Sequence, residues 1–260
     1  MDPFVCVNLF GGLGNQIFQY AAAKAVAKES GCSTIFVNKE SENAHNQHGH
    51  NYALELFKDT KEVDWPKGPL GEWLFRSQGV NVYSQHDGFA PWDPSSLSPP
   101  CVLNGYFQYY PALVSVLQEV LEILQNSGPS YPPQCATFLH IRRGDYVAKS
   151  EFHFLQGKEY YEMAIQYIQP TKLLVFSDDI EWCKQQEWLL NQPTVEFVNE
   201  PDEIKALFQM ASCKEGAILA NSTFSWWAAH LSGTSRVAYP SKWINQQIHS
   251  LFPPSWTCIT

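Results

Sequence analysis

Two adjacent arginines, Arg142 and Arg143, stand directly after the apolar and β-branched run at residues 137–141. That run predicts a buried strand, and residues 144–146, which begin with a glycine, predict a loop after the arginines. Open α/β sheets bind ligands at the carboxyl ends of their strands, and a guanidinium offers phosphate oxygens a rigid fork of donors. The sequence therefore favours an anion site, with a diphosphate as the first choice of ligand. The alternative is an ordinary pair of solvated salt bridges.

A pair of carboxylates, Asp178 and Asp179, follows the predicted strand at residues 172–176. Neighbours on an extended chain point to opposite faces, so the two carboxylates do not easily join on one metal ion. One of them could accept hydrogen bonds from ribose hydroxyls or from a guanine base. The alternative is that it caps the helix predicted to begin at Ile180.

A third polar cluster, Asn221, Ser222 and Thr223, follows the predicted strand at residues 216–220. It precedes a predicted helix at residues 225–231, so its hydroxyls and the first N–H groups of that helix can bind an anion. The alternative is that the hydroxyls are only helix caps.

Three glycines, Gly11, Gly12 and Gly14, separate a predicted strand at residues 4–9 from an alanine-rich helix predicted at residues 17–30. Glycines allow a ligand to approach the backbone closely at a helix amino terminus. Their spacing matches neither a dinucleotide-binding fingerprint nor a P-loop, and a tight turn between strand and helix explains them equally well.

The elements that carry these side chains predict two domains. Strands alternate with helices of about ten residues through the second half, which is typical of a parallel, doubly wound sheet, so the three polar strand ends meet at one edge. The proline and glycine stretch at residues 125–134 predicts the junction between a domain at 1–130 and a domain at 131–260.

Composition limits the classes of function. The net charge of −9 argues against a nucleic-acid partner, and the seven scattered cysteines indicate reduced thiols rather than disulfides or a metal site. His45, His48 and His50 lack the nearby ligands that a zinc site needs. No apolar run approaches the ~20 residues of a membrane helix, so the expected location is cytoplasmic, without membrane insertion.

The polar clusters together resemble a known family. Residues 11–16, 140–146, 176–179 and 221–227 are similar in order and spacing to the motif series of the α-1,2-fucosyltransferases, and residues 105–108 resemble a further segment. The resemblance covers nearly the whole chain, and it depends on the combination, since each motif alone is weakly specific.

The resemblance implies an α/β fold of the glycosyltransferase B type, in which two Rossmann-like domains face each other across a cleft. The domain at 1–130 would lie on the acceptor side, and the domain at 131–260 would bind GDP-L-fucose. The implied reaction is inverting transfer of fucose to the 2-hydroxyl of a galactose-type glycan, with no cofactor and no essential metal ion.

The resemblance also implies roles for individual residues. Arg142 would contact the diphosphate and stabilise the departing GDP, while Arg143 would support the motif. Asn15 would face the donor, and Asp178 would lie on the nucleotide side. The full set of implied donor-binding residues is Gly12, Gly14, Asn15, Arg142, Arg143, Asp178, Asn221, Ser222, Thr223 and Phe224.

Catalysis requires a group that takes the proton of the acceptor hydroxyl. Asp145 is the first candidate for this base and His140 the second. Glu151 and His153 lie nearby in sequence, but ordinary loop solvation explains them equally well. Two alternatives stay open: a silent protein that only binds a sugar nucleotide or a glycan, and a transferase with another donor or linkage. The absence of a P-loop and a nucleophile elbow disfavours a kinase or a hydrolase.

Overall fold

The computed structural model describes residues 2–38, 52–148, 153–244, 248 and 250–260. Contacts divide the chain into two compact units, Met1–Gly128 and Pro129–Thr260, which we term the amino-terminal and carboxyl-terminal units. The three histidines weighed as zinc ligands, His45, His48 and His50, lie outside the described residues, as does Glu151.

The amino-terminal unit contains a five-stranded, wholly parallel sheet with the strand order β3-β2-β1-β5-β4. Its strands are β1 (Val5–Asn8), β2 (Ile35–Asn38), β3 (Lys61–Val63), β4 (Asn81–Ser84) and β5 (Cys101–Asn104). Its helices are α1 (Leu13–Ser30), α2 (Ala53–Leu56), α3 (Gly68–Ser77), α4 (Tyr110–Leu113) and α5 (Leu117–Ser127).

The carboxyl-terminal unit contains a six-stranded parallel sheet with the order β11-β10-β9-β6-β7-β8. Its strands are β6 (Thr137–Ile141), β7 (Leu173–Ser177), β8 (Val195–Val198), β9 (Gly216–Ile218), β10 (Val237–Pro240) and β11 (Thr257–Ile259). Its helices are α6 (Gly144–Ala148), α7 (Lys158–Ile168), α8 (Ile180–Cys183), α9 (Glu187–Leu190), α10 (Glu203–Ala211) and α11 (Thr223–Ser232).

Burial explains why the central strands read as continuous apolar runs. Every residue of β1 and of β6 is buried, because helices cover both faces of a parallel sheet. Leu139 and Ile141 of β6 lie in a cluster with residues of α7 and β7. The strand ends that carry the polar residues are therefore fixed by a packed core.

Helix α1 begins at Leu13, four residues before the predicted start at residue 17. The prediction relied on apolar periodicity, which the glycines interrupt. Gly12 takes an extended backbone at the amino-terminal cap, and the helix ends at Gly31, whose φ of 67° lies in the left-handed region. Gly14 therefore lies in the first turn of the helix, Gly12 is its amino-terminal cap, and Gly11 lies in the bend before it.

Two predicted helices are each divided in the structure. Residues 112–125 form α4 and α5, and residues 180–190 form α8 and α9. Between the latter two, Gln186 is extended and its N–H bonds back to the carbonyl of Cys183, which closes the first helix. Strands β3, β4 and β11 were not predicted; they have three or four residues, and each contains the charged or polar positions Lys61 and Glu62, Asn81 and Ser84, or Thr257.

All seven cysteines are free thiols. Five of them are buried, Cys258 is half-buried, and Cys135 is exposed. Burial raises the pKa of Cys101 and of Cys213 to about 12, so both remain protonated at neutral pH.

Candidate functional site

Arg142 lies at the carboxyl end of β6, held between two carboxylates. Its Nη2 is 2.6 Å from Asp145 Oδ1, and its Nη1 is 3.1 Å from Asp178 Oδ2. Burial works to lower the pKa of this guanidinium, but the charges of Asp178 and Asp145 outweigh burial and raise it. The Arg142 side chain is 35% exposed, so its remaining donors can reach a ligand.

Arg143 faces away from Arg142 and supports the same turn. Its backbone N–H donates to Asp178 Oδ1 at 2.8 Å, and its Nε lies 3.1 Å from Asp179 Oδ2. The guanidinium stacks 3.7 Å from the ring centre of Trp182, in α8. Asp179 also caps α8 by accepting from the N–H of Trp182. Arg143 is thus fixed by protein groups on several sides.

The carboxylate pair has two separate roles in this structure. Asp178 connects the backbone of Arg143 with the side chain of Arg142, and Asp179 binds Arg143 and caps a helix. The capping alternative from the sequence therefore applies to Asp179 and not to Asp178.

Gly144 begins α6, where the sequence predicted a loop. The N–H of Val147 bonds to the carbonyl of Arg143, which closes one helical turn. Gly144 has no positive φ; a Cβ at this position would instead overlap Asp178 Oδ2. Glycine is needed here because the carboxylate that holds Arg142 passes so close to the backbone.

Tyr146 connects this turn to the neighbouring strand end. Its hydroxyl donates to the carbonyl of Asn221 at 3.0 Å, and its ring stacks on His153 at 4.1 Å between centres. Arg142 lies 5.4 Å from the ring centre of Tyr146. Burial raises the pKa of Tyr146 to about 12, so its hydroxyl stays protonated and keeps donating.

Asn221 is buried and holds two other segments. Its Nδ2 donates to the carbonyl of Phe154 at 2.8 Å and to that of Trp243 at 2.6 Å. Both N–H groups of the amide are therefore committed to protein. The amide holds segments beside the site, and its N–H groups are not displayed to a donor.

Ser222 and its neighbours form the start of α11, two residues before the predicted helix start. Ser222 is the amino-terminal cap, since its Oγ accepts from the N–H of Phe224 at 3.3 Å. Thr223 and Phe224 form the first turn of a ten-residue helix. This helix amino terminus, next to the end of β9, is suited to an anion.

His140 is buried one residue before the end of β6. Its ring centre lies 5.7 Å from that of Phe224, and its Nδ1 has no hydrogen-bond partner among the described residues. Burial, with a smaller effect of Arg142, lowers the pKa of His140 to about 3. A group with so low a pKa is a weak base near neutral pH, which disfavours His140 for that role.

The glycine motif in the amino-terminal unit places its residues at the end of β1. Asn15 Oδ1 accepts from Gln108 Nε2 at 3.0 Å. Gly14 is buried, whereas Gly12 is exposed and a Cβ there would meet no atom of the described residues within 4 Å. Among the described residues, space beside Gly12 therefore exists for a ligand.

The structure brings together, within the carboxyl-terminal unit, the predicted residues at the ends of β6, β7 and β9. Sequence reasoning missed Trp182 and the hydrogen bond between Tyr146 and Asn221. The available signal for Trp182 was an aromatic residue one turn into the helix after Asp179.

In the part of the chain that the structure describes, no group of three or more His, Cys, Asp or Glu is placed to hold a metal ion. No described helix is both long and apolar enough to cross a membrane.

Comparison with known proteins identifies relatives over most of the chain. The model for "Glycosyl transferase family 11" matches residues 101–260. The chain is 42% identical to an O-antigen biosynthesis glycosyltransferase, WbnK, of Escherichia coli, over 90% of this chain and 93% of that protein. It is 27% identical to an α-1,2-colitosyltransferase of the same organism, over 96% of each. It is 23% identical to the galactoside α-(1,2)-fucosyltransferase 2 of Oryctolagus cuniculus, over 89% of this chain and 68% of that protein.

A solved structure shares the fold. The fucosyltransferase NodZ from Bradyrhizobium aligns with a TM-score of 0.51 and 15% identity, over 96% of this chain and 97% of that one. At this identity the likeness concerns the fold alone. Together with the two parallel sheets, it confirms the predicted α/β fold of the glycosyltransferase B type.

Proposed function

Because the chain belongs to glycosyl transferase family 11, we propose that it moves L-fucose from GDP-L-fucose to the 2-hydroxyl of a galactose-type glycan, with inversion. The motif resemblance and the galactoside α-(1,2)-fucosyltransferase relative support this donor and this linkage. The carboxyl-terminal unit is proposed to bind the nucleotide, and the amino-terminal unit is proposed to bind the acceptor.

The observation that carries the proposal is the position of Arg142. It lies at the carboxyl end of a central strand, and Asp145 and Asp178 fix its guanidinium while leaving part of it exposed. A fixed guanidinium at this edge can bind two oxygens of a diphosphate at once. The start of α11 supplies a second anion-binding group at the end of β9.

The reaction we propose is a single displacement. The acceptor oxygen forms a bond to the anomeric carbon, while the bond from that carbon to the phosphate oxygen breaks and GDP leaves with the electron pair. Negative charge grows on the diphosphate as the bond breaks, so Arg142 stabilises the transition state more than the ground state.

The proton of the acceptor hydroxyl needs a base, and Asp145 is the proposed one. In the described structure its carboxylate binds Arg142 at 2.6 Å. A diphosphate that occupies Arg142 competes with this ion pair, which would release Asp145 for the acceptor. Alternatively, Asp145 only orients Arg142, and the two roles predict different kinetics.

A second donor follows from the colitosyltransferase relative, which matches nearly the full chain. Colitose is L-fucose without its 3-hydroxyl group, so the same site geometry could serve either sugar. A site built to bind the 3-hydroxyl would discriminate strongly against the deoxy sugar, whereas an apolar site would discriminate weakly.

Product analysis tests the function. We expect transfer from GDP-L-fucose to a panel of galactosides, with the new linkage at the 2-position shown by NMR, and slower transfer from GDP-colitose at equal concentration. A higher kcat/KM with GDP-colitose would establish colitose as the donor. Binding of GDP without any transfer would support the silent binding protein.

The same assay tests the need for a metal ion. We propose that none is essential, because Asp178 and Asp179 contact the arginines through different atoms and do not converge on one point. Chelator should leave the rate unchanged. Complete loss that magnesium or manganese restores would refute this part of the proposal.

A further inference from the structure

Two aromatic residues lie side by side at the carboxyl edge of the amino-terminal sheet. Strands β1 and β5 are paired in parallel, and continuing the pairing of Val7 with Leu103 brings Phe10 opposite Tyr106. Their ring centres are 4.7 Å apart at an interplanar angle of 64°. Tyr106 is 38% exposed, so the pair presents an aromatic surface to solvent at the edge where parallel sheets bind ligands.

Side-chain amides hold the turns that carry these rings, and one of the two is fully buried. Gln19, which is fully buried in α1, donates to the carbonyl of Phe10 and accepts from its N–H. Gln85, which follows β4, accepts from the N–H of Phe107 at 2.7 Å. Burying polar side chains is costly unless they make hydrogen bonds, and here the bonds fix the backbone on both sides of the ring pair.

The turn after β5 is also strained. Phe107 has a φ of 54°, which is rare for a residue other than glycine, and its side chain is buried against Trp92. Gln108 is fixed next to it by its N–H bond to the carbonyl of Gly88 and by its side-chain bond to Asn15. Such strain persists only where surrounding contacts over-determine it, and it is concentrated at functional sites. The strained residue directly follows Tyr106 in the chain.

The chemistry of this surface favours a sugar. An aromatic face carries partial negative charge, which attracts the slightly positive C–H groups of a pyranose. In galactose the axial 4-hydroxyl leaves the C–H groups at positions 3, 4 and 5 together on one face. The side chains that hold the backbone around the two rings, Gln19 and Gln85, are neutral amides, which suit a neutral ligand rather than a phosphate.

We propose that Tyr106, supported by Phe10, is a stacking subsite for the apolar face of a galactopyranoside acceptor. This inference rests on the proposed function, because that function requires a galactoside acceptor. Binding of the sugar at the subsite does not require the donor. Tyr106 is a contact residue here, and the glutamines position it.

The test compares Tyr106→Ala with Tyr106→Phe, which keeps the ring. Tyr106→Ala should raise the KM for a galactoside about tenfold, leave the KM for GDP-L-fucose and the affinity for GDP unchanged, and preserve the melting temperature. Tyr106→Phe should stay within about twofold of the wild type. Trp73→Ala is the matched control, because Trp73 is 63% exposed on α3 of the same unit and should change neither KM.

Saturation-transfer NMR with methyl β-galactoside and no donor separates the two proposals. Sugar binding that Tyr106→Ala abolishes, in a protein that transfers nothing from GDP-L-fucose, would support the subsite and refute the proposed donor. Transfer with an acceptor KM that Tyr106→Ala leaves unchanged would refute the subsite and keep the function. An equal rise in both KM values would also overturn it, because the residue would then act on the fold.

Discussion

The two sheets have similar architecture, yet their carboxyl edges are built from different interactions. In the amino-terminal unit the turns are held by neutral amides, of which Gln19 is fully buried. In the carboxyl-terminal unit the turns after β6 and β7 are held by ion pairs of Arg142 and Arg143, whose partners remain partly exposed. The buried amide of Asn221, after β9, is the neutral exception. Amides can be buried at low cost once they are hydrogen-bonded, whereas charges lose hydration that a partner must replace. The contrast indicates a neutral ligand at one edge and an anion at the other.

The largest expected effect is that of Arg142→Lys, which tests whether the site needs the paired donors of a guanidinium or only a positive charge. Arg142→Lys keeps the positive charge but loses the planar pair of donors, so transfer should fall on the order of 10³-fold, the upper range for removal of one transition-state donor. Steady-state kinetics measures it. Arg76→Lys, at a side chain that bonds the carbonyl of Val82 in the other unit, should be close to normal. Near-normal turnover of Arg142→Lys would end the idea of a bidentate clamp.

Asp145→Asn distinguishes a base from a scaffold at the same edge. If Asp145 takes the acceptor's proton, GDP affinity should stay nearly unchanged while turnover falls about 10²-fold, which is within the range for acid-base catalysis. If Asp145 only orients Arg142, GDP affinity and turnover should fall together. Calorimetry with GDP beside transfer rates separates the two. Survival of both quantities would remove both roles.

Gly12→Ala tests whether the carboxyl edge of the amino-terminal sheet binds only a neutral ligand or also contacts the donor. Its Cβ would meet no atom of the described residues within 4 Å, and the φ of −69° suits alanine, so the melting temperature should not fall. If the donor approaches Gly12, as the motif resemblance implies, the KM for GDP-L-fucose should rise roughly tenfold, equal to about 1.4 kcal/mol. An unchanged donor KM would mean that the amino-terminal edge serves the acceptor alone.

His140 is a neutral group within the charged edge, and its effect should appear in stability. Its pKa is about 3 in the folded protein against 6.5 for the free side chain, so between these values the unfolded chain binds more protons and stability falls as the pH is lowered. His140→Phe lacks this effect. From pH 6.5 to pH 5, urea unfolding should show the free energy of unfolding of the variant rising by roughly 1.6 kcal/mol relative to the wild type.

A second histidine variant tests whether burial is the cause of the lowered pKa of His140. His230 is half-buried, and burial also lowers its pKa to about 3, so His230→Phe should show the same relative gain. Curves for His140→Phe and the wild type that stay parallel from pH 7 to pH 5 would show that His140 titrates normally.

Elements with strong patterns were predictable from sequence. Thr137–Ile141, Val195–Val198 and Lys158–Ile168 have the predicted bounds, because apolar runs and helical periodicity act locally. The three-residue strands β3 and β11 could not be predicted, since so short a segment has no periodicity of its own and becomes a strand only by pairing with its neighbour. Likewise, the backbone at Gly144 passes close to the carboxylate of Asp178, which is 34 positions away, and no local sequence pattern reveals this contact.

Several residues of the candidate site could be singled out from the sequence, but their ion pairs and hydrogen bonds could not. Arg142, Asp145 and Asp178 were singled out from their positions after strands, and the structure places them in one ion-pair cluster. Which carboxylate contacts which arginine could not be derived, because pairing depends on side-chain geometry. Asn221 was assigned to the donor, and the bonds of its amide N–H groups to two backbone carbonyls could not be foreseen from the sequence.

The distribution of the thiols has a practical consequence for following this molecule in solution. Cys135 is the one exposed cysteine, and it lies seven residues after the last residue of the amino-terminal unit. A maleimide dye should therefore attach at this point alone under brief labelling, without prior removal of the other cysteines. Its fluorescence anisotropy would report whether the first segment of the carboxyl-terminal unit changes its freedom of motion when a nucleotide is added.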